Sequence, residues 1–219
     1  MACQAFYTIL KEVVSFLVTI PFSAILTCIL DCLYSLRFSN TRYDKITEEH
    51  RGSCAWIWSH PQYTDWSMPN ASRLLYIQGK SGSGKSTVTK YFTRYLLERD
   101  PGARSAILAK FFYSYREGEL QKSHYNMLQT ILHDILQQDE TFFYHKFQFE
   151  YRKFCQQGHG LMKWDYETLK RVFRSLADHS QRKPIYLVID TVDEPEECDP
   201  RVGIAGLHCC IWRPGKAMS

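Results

Sequence analysis

Few short segments constrain a fold as tightly as Gly79-Lys80-Ser81-Gly82-Ser83-Gly84-Lys85-Ser86, because the pattern G-x-x-x-x-G-K-S takes its working shape between a strand and a helix. Both flanks are present. Upstream, Leu74-Leu75-Tyr76-Ile77-Gln78 is a short apolar run suited to a buried strand. Downstream from Thr87, Val88, Tyr91, Phe92, Tyr95 and Leu96 recur at helical spacing, and Asp100-Pro101-Gly102 ends the run with turn-forming residues. Gly79, Gly82 and Gly84 let backbone N–H groups turn inward around an anion, and a helix that starts there aims its positive end at the same point. The expected chemistry is phosphate binding by residues 79–87. Lys80, Ser81, Ser83 and Thr87 contribute backbone, Lys85 reaches the β- and γ-phosphates, and the Ser86 hydroxyl ligates Mg2+. A Gly/Ser linker can imitate the pattern, but not with a strand before it and a helix after it.

A second segment supplies the matching acid. Ile185-Tyr186-Leu187-Val188-Ile189 is five apolar residues in a row, as in a strand buried on both faces, and Asp190 closes it where α/β sheets bind ligands. Asp190 is therefore expected to hold the water shell of Mg2+. Asp193 and Glu194 are expected to orient or deprotonate the water that attacks a γ-phosphate, a task for carboxylates near the metal but not consumed by it. The competing reading is an ordinary buried strand followed by a solvated acidic turn, since Glu196, Glu197 and Asp199 come next.

With these Walker A and Walker B segments, the chain resembles the NACHT-type signal-transduction NTPases, and in particular fungal proteins that are nephrocystin-like at their N-terminal region. Four blocks carry the resemblance: GKSGSGKST, IYLVIDTVDE, SLRFSNTRYDKITEEHRGSCAWIWSHPQYTDW before the loop, and FFYSYREGELQKSHYNMLQTILHDIL after the first helix. The resemblance implies a P-loop NTPase of α/β class, a three-layer sandwich with a mostly parallel sheet. It also implies a nucleotide-dependent switch that couples an effector domain to a sensor, in fungi for non-self recognition and cell death.

The same resemblance implies one more strand between the loop strand and the Walker B strand, ending in a sensor arginine, and then a helical lid. Only the apolar run Leu207-His208-Cys209-Cys210-Ile211-Trp212-Arg213-Pro214 is available, and it lies too close to Glu194 for an intervening helix. The sheet is therefore expected to be incomplete at its C-terminal side, with bared edges on both neighbouring strands, and Arg213 is given no role. The expected organisation is a hydrophobic helical segment over residues 1–36, a lead-in over 37–70, a partial NTPase domain over 71–197 and an atypical tail over 198–219.

Composition excludes more than it identifies. The 219 residues suit one α/β core with a partial flank, and a net charge of +4 is scattered, with no basic arm for nucleic acid. Eight cysteines form no C-x-x-C pair, which fits reduced thiols in a cytoplasmic protein better than a disulfide framework or a zinc site. Residues 13–30 carry no charge and leave three readings open: a buried helix from an effector domain, a membrane anchor, or a cleaved secretory signal.

Among Trp56, Trp58, Tyr63 and Trp66, packing against the domain is the favoured role, with one of them lining the base side of a nucleotide pocket as the alternative. Ala106-Ile107-Leu108-Ala109-Lys110-Phe111-Phe112-Tyr113 reads as a second strand. Ser123 is placed to cap a helix whose Leu128, Ile131, Leu132 and Ile135 face the core. Arg116 and Gln121 fall in the loop between. Phe143, Phe147, Tyr151 and Phe154 form a helical face for packing or partner contact, and Leu169, Val172, Phe173 and Leu176 mark the helix before the Walker B strand. Together these features predict a module that binds ATP (or GTP) with Mg2+ and hydrolyses it slowly, open to self-association or partner proteins. A small P-loop kinase and a truncated, non-catalytic interaction protein are the alternatives.

Overall fold

The computed structural model describes residues 22–68, 73–80, 82–156, 162–179, 183–190 and 209–213. Helix α1 (Phe22–Leu36), a single turn α2 (Arg42–Lys45), a 3-10 turn (Ala55–Ser59) and α3 (Pro61–Ser67) lead into strand β1 (Arg73–Tyr76). Then come α4 (Lys85–Arg99), β2 (Ile107–Phe112), α5 (His124–Gln138), a π-helical turn (Phe143–Phe147) running into α6 (Gln148–Gln156), α7 (Tyr166–Arg174), the short α8 (Leu176–His179), β3 (Ile185–Asp190) and β4 (Cys209–Arg213).

The four strands form one sheet in the order β1-β4-β3-β2. Strands β2 and β3 are parallel, from Ile107 opposite Ile185 to Phe112 opposite Asp190, as expected of strands linked through helices on the sheet's faces. Strand β4 is antiparallel to both β1 and β3. Three strands thus point the same way, and the C-terminal ends of β1, β2 and β3 share one edge of the sheet.

Strand β4 corrects the expectation of a missing internal strand. The slot between β1 and β3 is filled, so neither of those inner edges is bare. Its direction has a simple cause: parallel neighbours need a long crossover, usually a helix, whereas an antiparallel neighbour needs only a return. The reversal also decides the place of Arg213. It pairs with Arg73 at the start of β1, the end of the sheet opposite the loop, while Cys209 pairs with Asp190.

Alternation along β2 and β3 divides the core in two. Ile107, Ala109, Phe111, Ile185 and Leu187 join α1, α5 and α7 on one face. Phe112, Tyr186 and Val188 join α3, α4 and the 3-10 turn on the other. Both faces of the sheet are therefore covered, which is why β3 reads as an unbroken apolar run. On α1, Ile29, Cys32 and Leu36 are buried in the first of these clusters, and Trp164 Nε1 donates to Ser35 Oγ at 2.8 Å. Residues 22–30 of the uncharged segment thus belong to a helix that packs into the domain core, and residues 13–21 lie outside the described residues. Among the described residues no helix is long and apolar enough to cross a membrane.

The lead-in is fastened at several points. Asn40 Nδ2 donates to the Phe112 carbonyl at 2.8 Å, Gln121 Nε2 to the Ser39 carbonyl at 2.9 Å, and Lys90 Nζ to the Ile46 carbonyl at 2.7 Å. Glu117 receives Thr41 Oγ1 at 2.7 Å and Lys45 Nζ at 3.0 Å. Burial pushes the Glu117 carboxyl up, but Thr41, Lys45 and Arg42 outweigh it and hold the group below its ordinary value. At α5, Ser123 occupies the N-cap position with extended backbone, yet its side chain makes no capping bond. Its carbonyl takes the first helical bond from Met127 N–H at 3.1 Å.

Candidate functional site

The segment after β1 turns back on itself over a few residues. Gly82 (φ +75°) and Gly84 (φ +83°) lie in the left-handed region that side chains disfavour, and Ser83 N–H donates to the Lys80 carbonyl at 3.1 Å to close the turn. At Gly79 a Cβ would sit 2.7 Å from Ser83 Oγ, so the exposed serine side chain would have to turn away from it. Gly84 is the N-cap of α4 and has no side chain to cap it. The first N–H groups of α4 are thus left without side-chain capping at the mouth of the turn, where the positive end of the helix dipole adds to them.

Helix α4 starts at Lys85, two residues before the sequence-based expectation of Thr87. Lys85 folds over the turn, and its Nζ donates to the carbonyls of Gly79 at 2.8 Å and Lys80 at 2.9 Å. One ammonium therefore ties the first residues of the turn to the first turn of the helix. Ser86 and Thr87 follow, both half-buried. Deeper in the helix, Thr89 Oγ1 donates to the Lys85 carbonyl at 3.0 Å and Thr93 Oγ1 to the Thr89 carbonyl at 2.7 Å, so the buried hydroxyls of α4 are satisfied within the helix. Ser81 lies outside the described residues.

Asp190 ends β3 at the same edge of the sheet, 1 % exposed, with its carbonyl accepting from Tyr113 N–H at 3.2 Å. Ser86 and Asp190, the oxygen side chains expected to meet Mg2+, stand in the first turn of α4 and at the end of β3. Among the described residues no group of three or more His, Cys, Asp or Glu is arranged to hold a metal by itself. Asp193 and Glu194 lie outside the described residues. Arg116 is exposed beyond β2, and Gln121 is buried and spent on the lead-in. Tyr113 and His124 meet at the same edge, Oη to Nδ1 at 2.8 Å, with burial raising the tyrosine well above its ordinary value. That pair joins the end of a strand to the start of a helix, and no spacing rule would have paired them.

Beside the turn lies a cavity of about 550 Å3 lined by Trp56, His60, Gln62 and Tyr63 and by residues 75–78, which run directly into Gly79. The four lead-in aromatics separate here. Trp58, Tyr63 and Trp66 pack around Phe92 of α4, with ring centroids 5.1, 5.9 and 5.8 Å away. Trp56 stays 50 % exposed on the cavity, edge-on to His60 at 5.8 Å. Packing, the favoured expectation, holds for three of the four.

Cavity, turn, buried acid and the start of β4 all fall within residues 52–211, the stretch matched by the family described as Nephrocystin 3, N-terminal. The chain belongs to the nephrocystin 3 N-terminal family. Searches of the curated proteins and of the solved structures find no significant match. Membership in the nephrocystin 3 N-terminal family, which is related to NACHT-type domains, agrees with the nephrocystin-like part of the resemblance read from the sequence. The matched stretch runs on through Asp190 to Ile211 in β4.

Proposed function

We propose that this domain is a nucleotide-binding switch module of the NACHT type, taking Mg·ATP (or Mg·GTP) in the turn between β1 and α4. The observation that carries the reading is the conjunction at one sheet edge of left-handed Gly82 and Gly84, the side-chain-free cap of α4 and the Lys85 ammonium. In this reading the backbone of residues 79–87 cradles the phosphates, and Lys85 exchanges its two carbonyl partners for β- and γ-phosphate oxygens. Ser86 and Asp190 would hold Mg2+, which would supply charge neutralisation at the phosphates. Asp193 and Glu194 would orient or deprotonate the attacking water. The base lies in the cavity against Trp56, which offers an exposed ring face where the other lead-in aromatics are spent on packing. Arg213 takes no part, because β4 carries it to the opposite end of the sheet.

Titration calorimetry with Mg·ATP tests the reading. Lys85→Ala removes two charge-assisted bonds to phosphate and should weaken binding by about a hundredfold. Circular dichroism and the melting temperature should stay close to wild type, because the side chain bonds only to its own turn. Equal, weak binding by wild type and variant would overturn the proposal.

A further inference from the structure

Among the described strands β2 is outermost, with β3 on one side only. Ile107 N–H donates to the Pro184 carbonyl at 2.8 Å and Tyr113 N–H to the Asp190 carbonyl at 3.2 Å, so the odd-numbered residues of this stretch turn their backbone groups toward β3. Leu108, Lys110 and Phe112 turn theirs outward, and side chains meet them there. Gln138 Oε1 accepts from Leu108 N–H at 3.0 Å while Gln138 Nε2 donates to the Leu108 carbonyl at 2.8 Å. Asp134 Oδ2 accepts from Lys110 N–H at 3.1 Å, and Asn40 Nδ2, which also fastens the lead-in, donates to the Phe112 carbonyl at 2.8 Å. Spacing explains the fit. Asp134 and Gln138 stand one turn apart at the end of α5, a rise of about 6 Å, and alternate strand residues such as Leu108 and Lys110 are about 6.6 Å apart, so helix and edge keep step. Gln138 Nε2 also donates to the Asp134 carbonyl at 2.8 Å, which holds the amide in place. Its two bonds with Leu108 copy the pair that a residue on a neighbouring antiparallel strand would make.

We propose that Asn40, Asp134 and Gln138 act as a substitute strand that shuts the outer edge of β2 against antiparallel pairing with the same edge of a second copy of this chain. The sequence of β2 is what makes a second copy the partner to exclude. Ile107–Phe112 reads ILAKFF, six residues with one charge and neither Pro nor Gly, the composition of segments that pair with their own copies. Identical edges are self-complementary about a twofold axis, so an open β2 would join two sheets into one continuous sheet. Lys110 supplies the one charge, and its Nζ lies over the Tyr43 ring, 3.6 Å from the centroid. The cover comes from two separate parts of the chain, α5 over Leu108 and Lys110 and the lead-in over Phe112, and it reaches both ends of the strand.

Sedimentation velocity and NMR-detected amide exchange on the full chain test the proposal. In wild type the Leu108 and Lys110 amides should exchange slowly, at a rate independent of protein concentration. In Asp134→Ala/Gln138→Ala both amides lose their acceptors and should exchange about tenfold faster in dilute protein. Their protection should return over about a hundredfold rise in concentration, together with a sedimenting dimer. Adding Leu108→Pro to that variant removes an outward N–H and leaves the bonds to β3 in place, and it should weaken the dimer about tenfold. Three results would each overturn the proposal: wild-type exchange rates in the double variant, open amides with no dimer at any concentration, or a dimer indifferent to Leu108→Pro. Gln138 is exposed, so Gln138→Ala alone keeps the test decisive should the double variant fold poorly. Faster exchange at Leu108 is expected there, and an unchanged rate would count against the proposal in the same way.

Discussion

The two faces of the sheet are packed in different ways. Under α1, α5 and α7 the core is a broad field in which Ile131, Leu132, Ile135 and Leu169 alternate with Phe111, Phe142 and Phe147. Under α3 and α4 it is centred on one ring, Phe92, stacked on Trp58 and met edge-on by Tyr63 and Trp66, with Trp58 Nε1 bonded to Tyr91 Oη at 3.1 Å. Aliphatic side chains can repack around a change, whereas interlocked rings with polar handles have few alternative arrangements. The ring-centred face is the one that orients α4, whose first turn carries Lys85 and Ser86. A site needs such fixed support, because small displacements of its groups cost it function.

The strongest way to break this contrast is to cut equally deep into both faces. Phe92→Ala should cost about 4 kcal/mol and Leu132→Ala about 3 kcal/mol, since both side chains are fully buried. Urea denaturation measures those losses. The telling readout is nucleotide affinity in the folded fraction: Phe92→Ala should weaken it several-fold by loosening α4, and Leu132→Ala should leave it unchanged. If Phe92→Ala does not fold, Phe92→Leu keeps most of the volume and removes the ring contacts. Equal effects of the two sites on affinity would mean that the faces do not differ in their hold on the turn.

A smaller effect separates the cavity from the packing beside it. Trp56 shares its segment with Trp58 but stands half-exposed, so Trp56→Ala should change stability by less than about 0.5 kcal/mol. Loss of a stacking partner for the base should weaken ATP binding by about 1 kcal/mol, or roughly fivefold. Inorganic tripolyphosphate has no base and should bind wild type and variant alike. Equal weakening for both ligands would move Trp56 from the base to the phosphates or to the general frame.

Much of this architecture is legible in the sequence because its signals are local. The turn at Gly79 is written in consecutive residues, and β2, β3, α5 and α7 follow from apolar periods that need no knowledge of distant neighbours. What the sequence hides depends on tertiary partners. The strand at Cys209–Arg213 is discounted by a spacing rule that presumes a parallel neighbour, and only its pairing with β1 and β3 reveals the antiparallel solution. An uncharged run reads alike for lipid and for core, until Ile29, Cys32 and Leu36 are seen against α5. Trp56 and Trp58 are the same residue two positions apart, and a 3-10 turn sends one to the cavity and the other to Phe92. The contact of Thr41 and Lys45 with Glu117 joins segments that no local rule relates.

The finest probe of the contrast is a surface cap on the face away from the turn. Asp165 is the N-cap of α7, and its side chain accepts from Thr168 N–H at 2.9 Å. Bonds from the Thr168 side chain and backbone hold its carboxyl below the ordinary value. Asp165→Ala should therefore cost about 1 kcal/mol at pH 7, and Asp165→Asn less, because asparagine also caps. The pH dependence follows from the sign of the shift. A carboxyl depressed in the folded state contributes its full stability above the unfolded value of about 4, and that contribution fades as pH falls through the folded value. The gap in melting temperature between wild type and Asp165→Ala should thus be widest near neutrality and shrink toward pH 3. Nucleotide affinity should not move at all. A change in affinity from so remote a cap would show that α7 and the turn communicate, and the two faces would have to be treated as one coupled unit.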